Sequence, residues 1–469
     1  MAAADATVHS RSGPVAHPST KRGSERALAE RLCLGKKNLH VKAILCIFRY
    51  LSTFFSVYRI FLYISIYFAR LGPIPYTTIG ANAMNPIDNP FSPGAGTPPP
   101  DLVGRSSLLE DIDTLLGRLK ATRPIQNILL TGLRGVGKTV LLTETRRKAR
   151  KLFLESVFFE ASEEKSLSAS LMAPLKGVLF DLDRMEGAKQ AVRKGLVALR
   201  NFLGTIHLDV GPFGLDIAPQ HGIADSGDLE SDLTSLLLCV GEAAVEKHTA
   251  VVFVIDEIQC LPEKDFAALV MALHRMQQER LPVGMVGAGL PILPALAGTA
   301  KSYAERLFQF PEVGALDPDS CDEAIRNPFR EAGVEVLDSA LGIIRDRTKG
   351  YPYFVQEWGY QLWNRTSGTK IAENDVIAVD ESTLRRLDEN FFRVRLERLT
   401  EGERAFLRAM SRVGEEPIRI AQVAEQLGVP VSSLGPRRGS LIRKGMVYSP
   451  SHGEIAFTVP LFGDFLRRS

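Results

Sequence analysis

Ile128-Leu129-Leu130-Thr131-Gly132-Leu133-Arg134-Gly135-Val136-Gly137-Lys138-Thr139 is the stretch that decides how this chain folds. A short apolar run enters a loop with glycine at 132, 135 and 137, and the loop closes on Lys-Thr. Glycines at that spacing let successive backbone N–H groups face an anion with no side chain in the way. The ammonium of Lys138 then reaches the β- and γ-phosphates, and the Thr139 hydroxyl suits a magnesium ion. Such a loop needs a buried strand before it and a helix after it. Ile128–Leu130 and Val140–Leu152 read as those two elements. Gly132, Leu133, Arg134, Gly135, Val136, Gly137, Lys138, Thr139 and Val140 are therefore the expected phosphate cradle, with ATP and Mg2+ as the expected cofactors.

A second apolar run, Val251-Val252-Phe253-Val254-Ile255, ends in Asp256-Glu257. Paired with the loop, Asp256 is expected to hold magnesium through its water shell and Glu257 to polarise an attacking water as general base. Asp256 lies 117 residues after Thr139, a spacing that leaves room for an insertion.

Working outward, Ser107-x-x-Glu110 reads as a capping box for a helix carrying Leu108, Leu109, Ile112, Leu115, Leu116 and Leu119. Ser156–Phe159, Val283–Val286 and Leu307–Phe310 read as further strands, and Phe266–Arg280 as a helix. Apolar strands alternating with helices predict a parallel sheet with helices on both faces. Residues 166–227 look less regular, with hairpin character from Gly204 to Gly227. Asp225 and Asp228 then open a helix running through Glu246. Beyond residue 310, helices are expected with a break at Gly350-Tyr351-Pro352. Near the C-terminus, Thr400-x-x-Glu403 is a second capping box. Ile420–Leu427 and Val431–Lys444 read as helices, the latter interrupted at Gly435-Pro436. Met446–Tyr448 and Ile455–Phe457 read as a two-stranded wing. The predicted layout is an α/β P-loop core at 84–310 with an insertion near 186–228, a helical lid at 311–383, and a winged helix-turn-helix at 384–469.

Composition sets limits on the rest. A hydrophobic fraction of 45% and a charged fraction of 24% are ordinary for a globular protein. Cys33, Cys46, Cys239, Cys260 and Cys321 are odd in number and scattered, which argues against a disulfide framework or a zinc site. A reducing, cytoplasmic setting is expected. The net charge of +3 divides into +8 over residues 1–83 (11 Lys/Arg against 3 Asp/Glu) and −5 over the remainder. Within that basic leader, residues 44–68 are apolar and aromatic but interrupted by Arg49 and Arg59. A membrane helix needs about 20 nearly uncharged residues. The leader thus reads in two ways. Translation starts at Met84 and the leader is no part of the fold, or residues 44–68 anchor the chain to a membrane.

Leu102-Val103-Gly104-Arg105, the glycine loop, Val254-Ile255-Asp256-Glu257 and Ser302-Tyr303-Ala304-Glu305-Arg306-Leu307 together resemble the AAA+ ATPases related to archaeal and eukaryotic origin-recognition proteins. Asn89-Pro90-Phe91 through Gly104-Arg105, with Gly287-Ala288-Gly289-Leu290-Pro291 and Gly350-Tyr351-Pro352-Tyr353, are similar to a large bacterial group of uncharacterised ATP-binding proteins. The resemblance spans about 89–469 and implies an ATPase core, a helical lid and a winged helix. By position it implies that Val103, Gly104 and Arg105 line the adenine pocket. It also implies that Arg306 is an arginine finger serving a neighbouring subunit of a homo-oligomer; the alternative is a surface salt-bridge arginine. Two departures stand out. Gly287, Ala288 and Gly289 occupy the place of a polar sensor, and residues 350–356 supply no lid arginine. Gly350-Tyr351-Pro352 instead resembles the Gly-x-Pro motif of STAND signalling ATPases, where the proline, here Pro352, abuts the nucleotide.

For the last domain two functions remain open. Arg437, Arg438, Arg443 and Lys444 lie on or beside the candidate recognition helix, and 10 basic against 7 acidic residues over 401–469 would serve double-stranded DNA. The other reading is a nucleotide-controlled switch whose winged helix packs on its own core and signals to a protein partner with little turnover.

Overall fold

The computed structural model describes residues 84–94, 96–185, 189–205, 222–414 and 417–469. The basic leader, including 44–68, and most of the expected hairpin between Gly204 and Gly227 lie outside the described residues.

Five parallel strands form the central sheet: β1 (Asn127–Thr131), β2 (Glu155–Glu160), β3 (Val251–Asp256), β4 (Val283–Gly289) and β5 (Phe308–Gln309). Their order is β2-β3-β4-β1-β5, so β4 lies between the two strands that carry the glycine loop and Asp256. Leu130 pairs with Ala288, and Ile255 with Gly287. Every residue of β1, β3 and β4 is buried. Alternate side chains enter opposite cores. Ile128, Leu130, Val252, Val254, Val286 and Ala288 face α1 (Ser106–Lys120) and α2 (Lys138–Lys151). Leu129, Phe253, Ile255 and Met285 face the other layer. That second layer holds α3 (Leu167–Arg184), α4 (Lys189–Thr205), α5 (Leu229–Glu246) and α6 (Glu263–Gln278). The expected doubly covered parallel sheet is what the chain builds.

Three local expectations need correction. Residues 166–185 and 189–205 are regular: Ser166 caps α3 by accepting from Ala169 N, and α4 packs beside it. Pro174, Gly177 and Gly195 dilute the helical pattern in sequence, yet Gly195 is where Leu179 packs close, 2.8 Å from a would-be Cβ. Ser107 is no N-cap, because α1 starts at Ser106 with Arg105 at the cap and no side-chain cap bond. Nor is β4 a four-residue strand, since it runs on through Gly287 to Gly289.

Between β4 and β5 lie α7 (Leu293–Ala300) and α8 (Ala304–Leu307), and past β5 comes a helical group. The group contains α9 (Pro318–Glu331), α10 (Asp338–Thr348), α11 (Pro352–Arg365) and α12 (Glu373–Leu387), tied by a parallel pair, β6 (Glu335–Val336) and β7 (Lys370–Ile371). The N-terminal arm is pinned to it. Asn89 Nδ2 donates to Tyr360 O at 3.1 Å and Asn364 Oδ1 at 3.0 Å. Phe91, 1% exposed, packs 5.1 Å from the Phe329 ring, and any side chain at Gly359 would strike it.

The segment that leads into the last part of the chain is helical through Glu397. A π-helical turn over Asp388–Arg393 continues α12 directly into α13 (Val394–Glu397). Next, α14 (Glu401–Val413) opens on the expected capping box, with Thr400 N donating to Glu403 Oε2 at 2.7 Å. Then come β8 (Ile418–Arg419), α15 (Ile420–Leu427), α16 (Gly435–Arg443), β9 (Val447–Tyr448), β10 (Glu454–Phe457) and α17 (Phe462–Arg468). The last three strands form an antiparallel sheet in the order β8-β10-β9. Gly435-Pro436 does not interrupt a helix. Pro436 sits in the first turn of α16, where its missing N–H costs nothing, and a separate 3-10 turn, Val431–Leu434, precedes it. Among the described residues, no helix is long and apolar enough to cross a membrane.

Phe91→Ala is expected to lower the unfolding free energy by about 3–5 kcal/mol, as a buried phenylalanine does when truncated. Chemical denaturation checks this, and an effect below about 1 kcal/mol would mean that the arm is not anchored as described.

Candidate functional site

Thr131 ends β1 by donating its N–H to Pro311 O at 3.0 Å, and Gly132 N donates to Gly289 O at 3.1 Å. A Cβ at Gly132 would collide with the Val313 carbonyl, so this position tolerates only glycine. Gly135 (φ 84°) and Gly137 (φ 98°) take left-handed backbone that favours glycine, and Gly137 is the N-cap of α2. The loop therefore ends with the free N–H groups of a helix start, the positive end of its dipole.

Lys138 and Thr139 occupy the first turn of α2. Lys138 is buried, and its Nζ donates to Gly132 O at 2.9 Å and Leu133 O at 2.8 Å. Burial pulls its pKa from 10.5 down to about 8, against the opposing pull of Glu257 and Asp256. Thr139 Oγ1 donates to Asp256 Oδ2 at 2.6 Å, and Glu257 N donates to the other oxygen, Oδ1, at 2.8 Å. Burial pushes the Asp256 carboxyl up, partly offset by those two bonds. Glu257 leaves the strand with φ 51°, a left-handed conformation unusual outside glycine.

Two neighbours of Glu257 were not legible in sequence. Gln259 Nε2 donates to Glu257 Oε2, while Gln259 Oε1 accepts from Leu290 N at 3.0 Å. A side chain at Gly289 would hit Gln259, and one at Gly287 would hit Ile258. The polar group missing from β4 is thus matched by an amide from the turn after β3. Glu160, paired with Asp256 across the sheet, brings a third carboxyl, which burial raises with help from Asp256.

These groups face a cavity of about 640 Å³. Of the residues singled out in sequence, Val103, Arg105, Arg134, Gly135, Val136, Gly137, Lys138, Thr139, Val140, Asp256, Glu257 and Pro352 line it. Gly132 and Leu133 do not; their carbonyls hold the lysine. Gly104 does not either, and instead turns the chain (φ 70°) hard against Ser320. Arg105 is a brace, donating to Val136 O at 3.2 Å and Gly314 O at 2.6 Å. Arg306 is exposed on α8, away from this lining, and its carbonyl accepts from Gln126 Nε2 at 3.4 Å. Ser92, Gly96 and Thr97 of the arm also line the cavity, as do Asn390, Phe391, Val394, Arg395 and Arg398 from the far side. Sequence spacing gave no signal for this last group.

Fold and loop together define the P-loop class of nucleotide-binding α/β proteins. Residues 101–286 match the model of the AAA ATPase domain. Residues 389–466 match a domain of unknown function (DUF8462). No curated protein sequence matches. Among solved structures, a Walker-type ATPase of Pyrococcus abyssi is similar at 14% identity, covering 80% of this chain and 99% of that one with a TM-score of 0.49. The RuvB Holliday junction branch migration motor of Thermotoga maritima is 18% identical over 76% and 92% of the two chains, with a TM-score of 0.37. The Aeropyrum pernix Orc1 protein in complex with DNA is 14% identical over 79% and 94%, with a TM-score of 0.39.

The depressed Lys138 pKa has a consequence of definite sign. Between about pH 8 and 10.5 the unfolded chain holds a proton that the folded one has lost, so this group's contribution to stability rises with pH across that window. Anion binding works the other way, because a bound polyphosphate restores the ammonium. Nucleotide binding is expected to take up a proton at pH 9 and to weaken as pH climbs past about 8. Calorimetric titration in buffers of different ionisation enthalpy reads this directly; binding with no proton uptake at pH 9 would contradict it.

Proposed function

We propose that this chain binds ATP with magnesium in the cavity beside Lys138 and hydrolyses it to gate a conformational change. The observation that carries the proposal is the Thr139–Asp256 hydrogen bond of 2.6 Å, set beside a buried lysine at a helix start. The donor set fits the pair of cofactors. A hydroxyl and a carboxylate converge where a divalent ion would be held, and left-handed glycines clear the path to the amides. Magnesium, when bound, would neutralise charge developing on the phosphates.

In this reading the amides of 133–139 and Lys138 hold the phosphates, while Thr139 and Asp256 hold the metal. Glu257 accepts a proton from the attacking water, and Arg134 and Gln259 keep its carboxylate in place. Val103 and Pro352 pack against the base and sugar. Arg306, exposed and outside its own cavity, is assigned to a neighbouring copy's nucleotide. We take 84–310 as the ATPase core, 311–383 as its lid and 384–469 as a winged helix-turn-helix.

A specific observation favours the second reading, a nucleotide-controlled switch with little turnover. Residues 390–398 and the arm enclose the same cavity as the glycine loop, so ligand and C-terminal part share one space. Some of the basic side chains near α16 are already engaged within the chain. Glu403 takes Lys444 and Ser440, and Arg438 donates to Ser449 Oγ at 2.6 Å. Arg437 and Arg443 remain exposed on α16 with no ion pair among the described residues. They are the cations we assign to phosphate contacts if duplex DNA is a partner.

Lys138→Ala is expected to weaken ATP binding by about tenfold or more, the scale of a lost charge-assisted hydrogen bond. Glu257→Gln is expected to retain affinity and lose turnover by about 10²–10⁴-fold. Steady-state turnover with and without duplex DNA separates the two outputs. A rate that rises with DNA supports the motor; tightly retained nucleotide with negligible turnover supports the switch. Unchanged ATP affinity in Lys138→Ala would sink both.

A further inference from the structure

The cavity holds more positive charge than its own acids can answer. Arg395, on α13, lays its guanidinium 3.7 Å from the centre of the Phe391 ring and donates to Phe391 O at 2.6 Å. Among the described residues it has no carboxylate partner. Arg398, one turn further on, lines the same cavity and likewise has no ion pair among them. From the other wall, Arg134 pairs among the described residues with Glu257 alone, at 3.9 Å, and its Nε is buried with no hydrogen-bond partner among them. Burial lowers the Arg395 pKa to about 10, and Arg134 and Arg398 push it the same way. Four guanidiniums (Arg105, Arg134, Arg395 and Arg398) and the buried Lys138 ammonium line this space against four carboxyls (Asp101, Glu160, Asp256 and Glu257), an excess of positive charge that an entering anion would answer. A guanidinium wanted only for packing would need to bury its stem alone, with its head turned to water or to an acid. Here the Arg395 head lies against the Phe391 ring and carbonyl, with no acid beside it among the described residues, on a residue that lines the cavity.

Both walls are tied to the C-terminal module. Tyr353, beside the glycine loop, stacks on Phe391 at 4.5 Å; Phe391 meets Phe392 at 5.2 Å, and Phe392 stacks on Phe465 of α17 at 5.2 Å. The π-helical turn that holds Phe391 and Phe392 runs directly into the helix carrying Arg395, a local distortion of the sort found at functional positions. On the opposite side, the turn at Gly445 lies so close to Arg134 that a Cβ would stand 2.6 Å from its Nη2.

We propose that Arg395 and Arg398 are phosphate-contacting residues delivered to the ATP cavity by the 389–466 module, so that a polyphosphate there fixes the position of that module. This rests on the reading of the cavity as an ATP site. It gives the module a task inside the chain: reporting whether the cavity holds phosphate, through the aromatic stack on one side and the Arg134–Gly445 contact on the other.

The test uses the full chain with three probes, ATP, inorganic tripolyphosphate and adenosine, read by calorimetry and by hydrogen exchange across 389–466. In the wild type, ATP and tripolyphosphate are expected to slow exchange in 389–466, and adenosine to leave it unchanged. Arg395→Ala is expected to lower ATP affinity about tenfold and to abolish that protection, with adenosine binding intact. Arg395→Lys should recover part of both. No change of wild-type exchange on ATP binding overturns the proposal, as does equal loss of ATP and adenosine binding in Arg395→Ala. Should Arg395→Ala fail to fold, the wild-type exchange and Arg398→Ala carry the decision. Lys138→Ala tells the two levels apart. If it binds ATP normally, the nucleotide site itself is wrong; if it loses ATP while Arg395→Ala keeps it, only this proposal falls.

Discussion

A single short hydrogen bond, Thr139 Oγ1 to Asp256 Oδ2, joins the start of α2 to the end of β3 across the width of an intervening strand. Thr139 stays exposed at the cavity, whereas Asp256 is buried and held above its ordinary pKa by that burial. A buried carboxyl is costly unless its oxygens are occupied, and here each has a donor. The bond can form only if β1 and β3 end at the same level of the sheet. Parallel pairing through β4, with Leu130 opposite Ala288 and Ile255 opposite Gly287, sets that level. Everything else at the site is arranged around this fixed point.

Lys138 illustrates how the fold accommodates charge. Its ammonium is buried, yet two loop carbonyls accept from it and two carboxylates lie near. Those carbonyls belong to Gly132 and Leu133, so these residues act on the lysine from behind the cavity wall. Arg105 does a similar service for Val136 and Gly314. Positions matched to a nucleotide motif can thus serve by holding the residue that touches the ligand.

The far wall changes the character of the site. A P-loop core needs only its own sheet and helices to present phosphate-binding amides. In this chain the arm, α11 and the 390–398 segment close over the same space, and aromatic contacts run on from there to α17. The glycine loop and the C-terminal part therefore both face any ligand that enters this cavity.

Sequence alone determined the sheet, the glycine loop and the Asp-Glu strand end, because each is written in local pattern: apolar runs, glycine spacing, an abrupt polar terminus. It also determined the Thr400–Glu403 capping box, which involves residues three apart. It misplaced the Ser107 cap, because the neighbouring Arg105 is drawn away to carbonyls 31 and 209 residues distant. Gly435-Pro436 looked like a break because spacing does not say on which side of a proline a helix lies. Only the tertiary structure decided that Gln259 fills the space beside Gly289, and that Arg395 and Arg398 enter a cavity opened more than 250 residues earlier. Such meetings depend on long-range packing, and no periodicity in the chain encodes which distant side chain will share a wall.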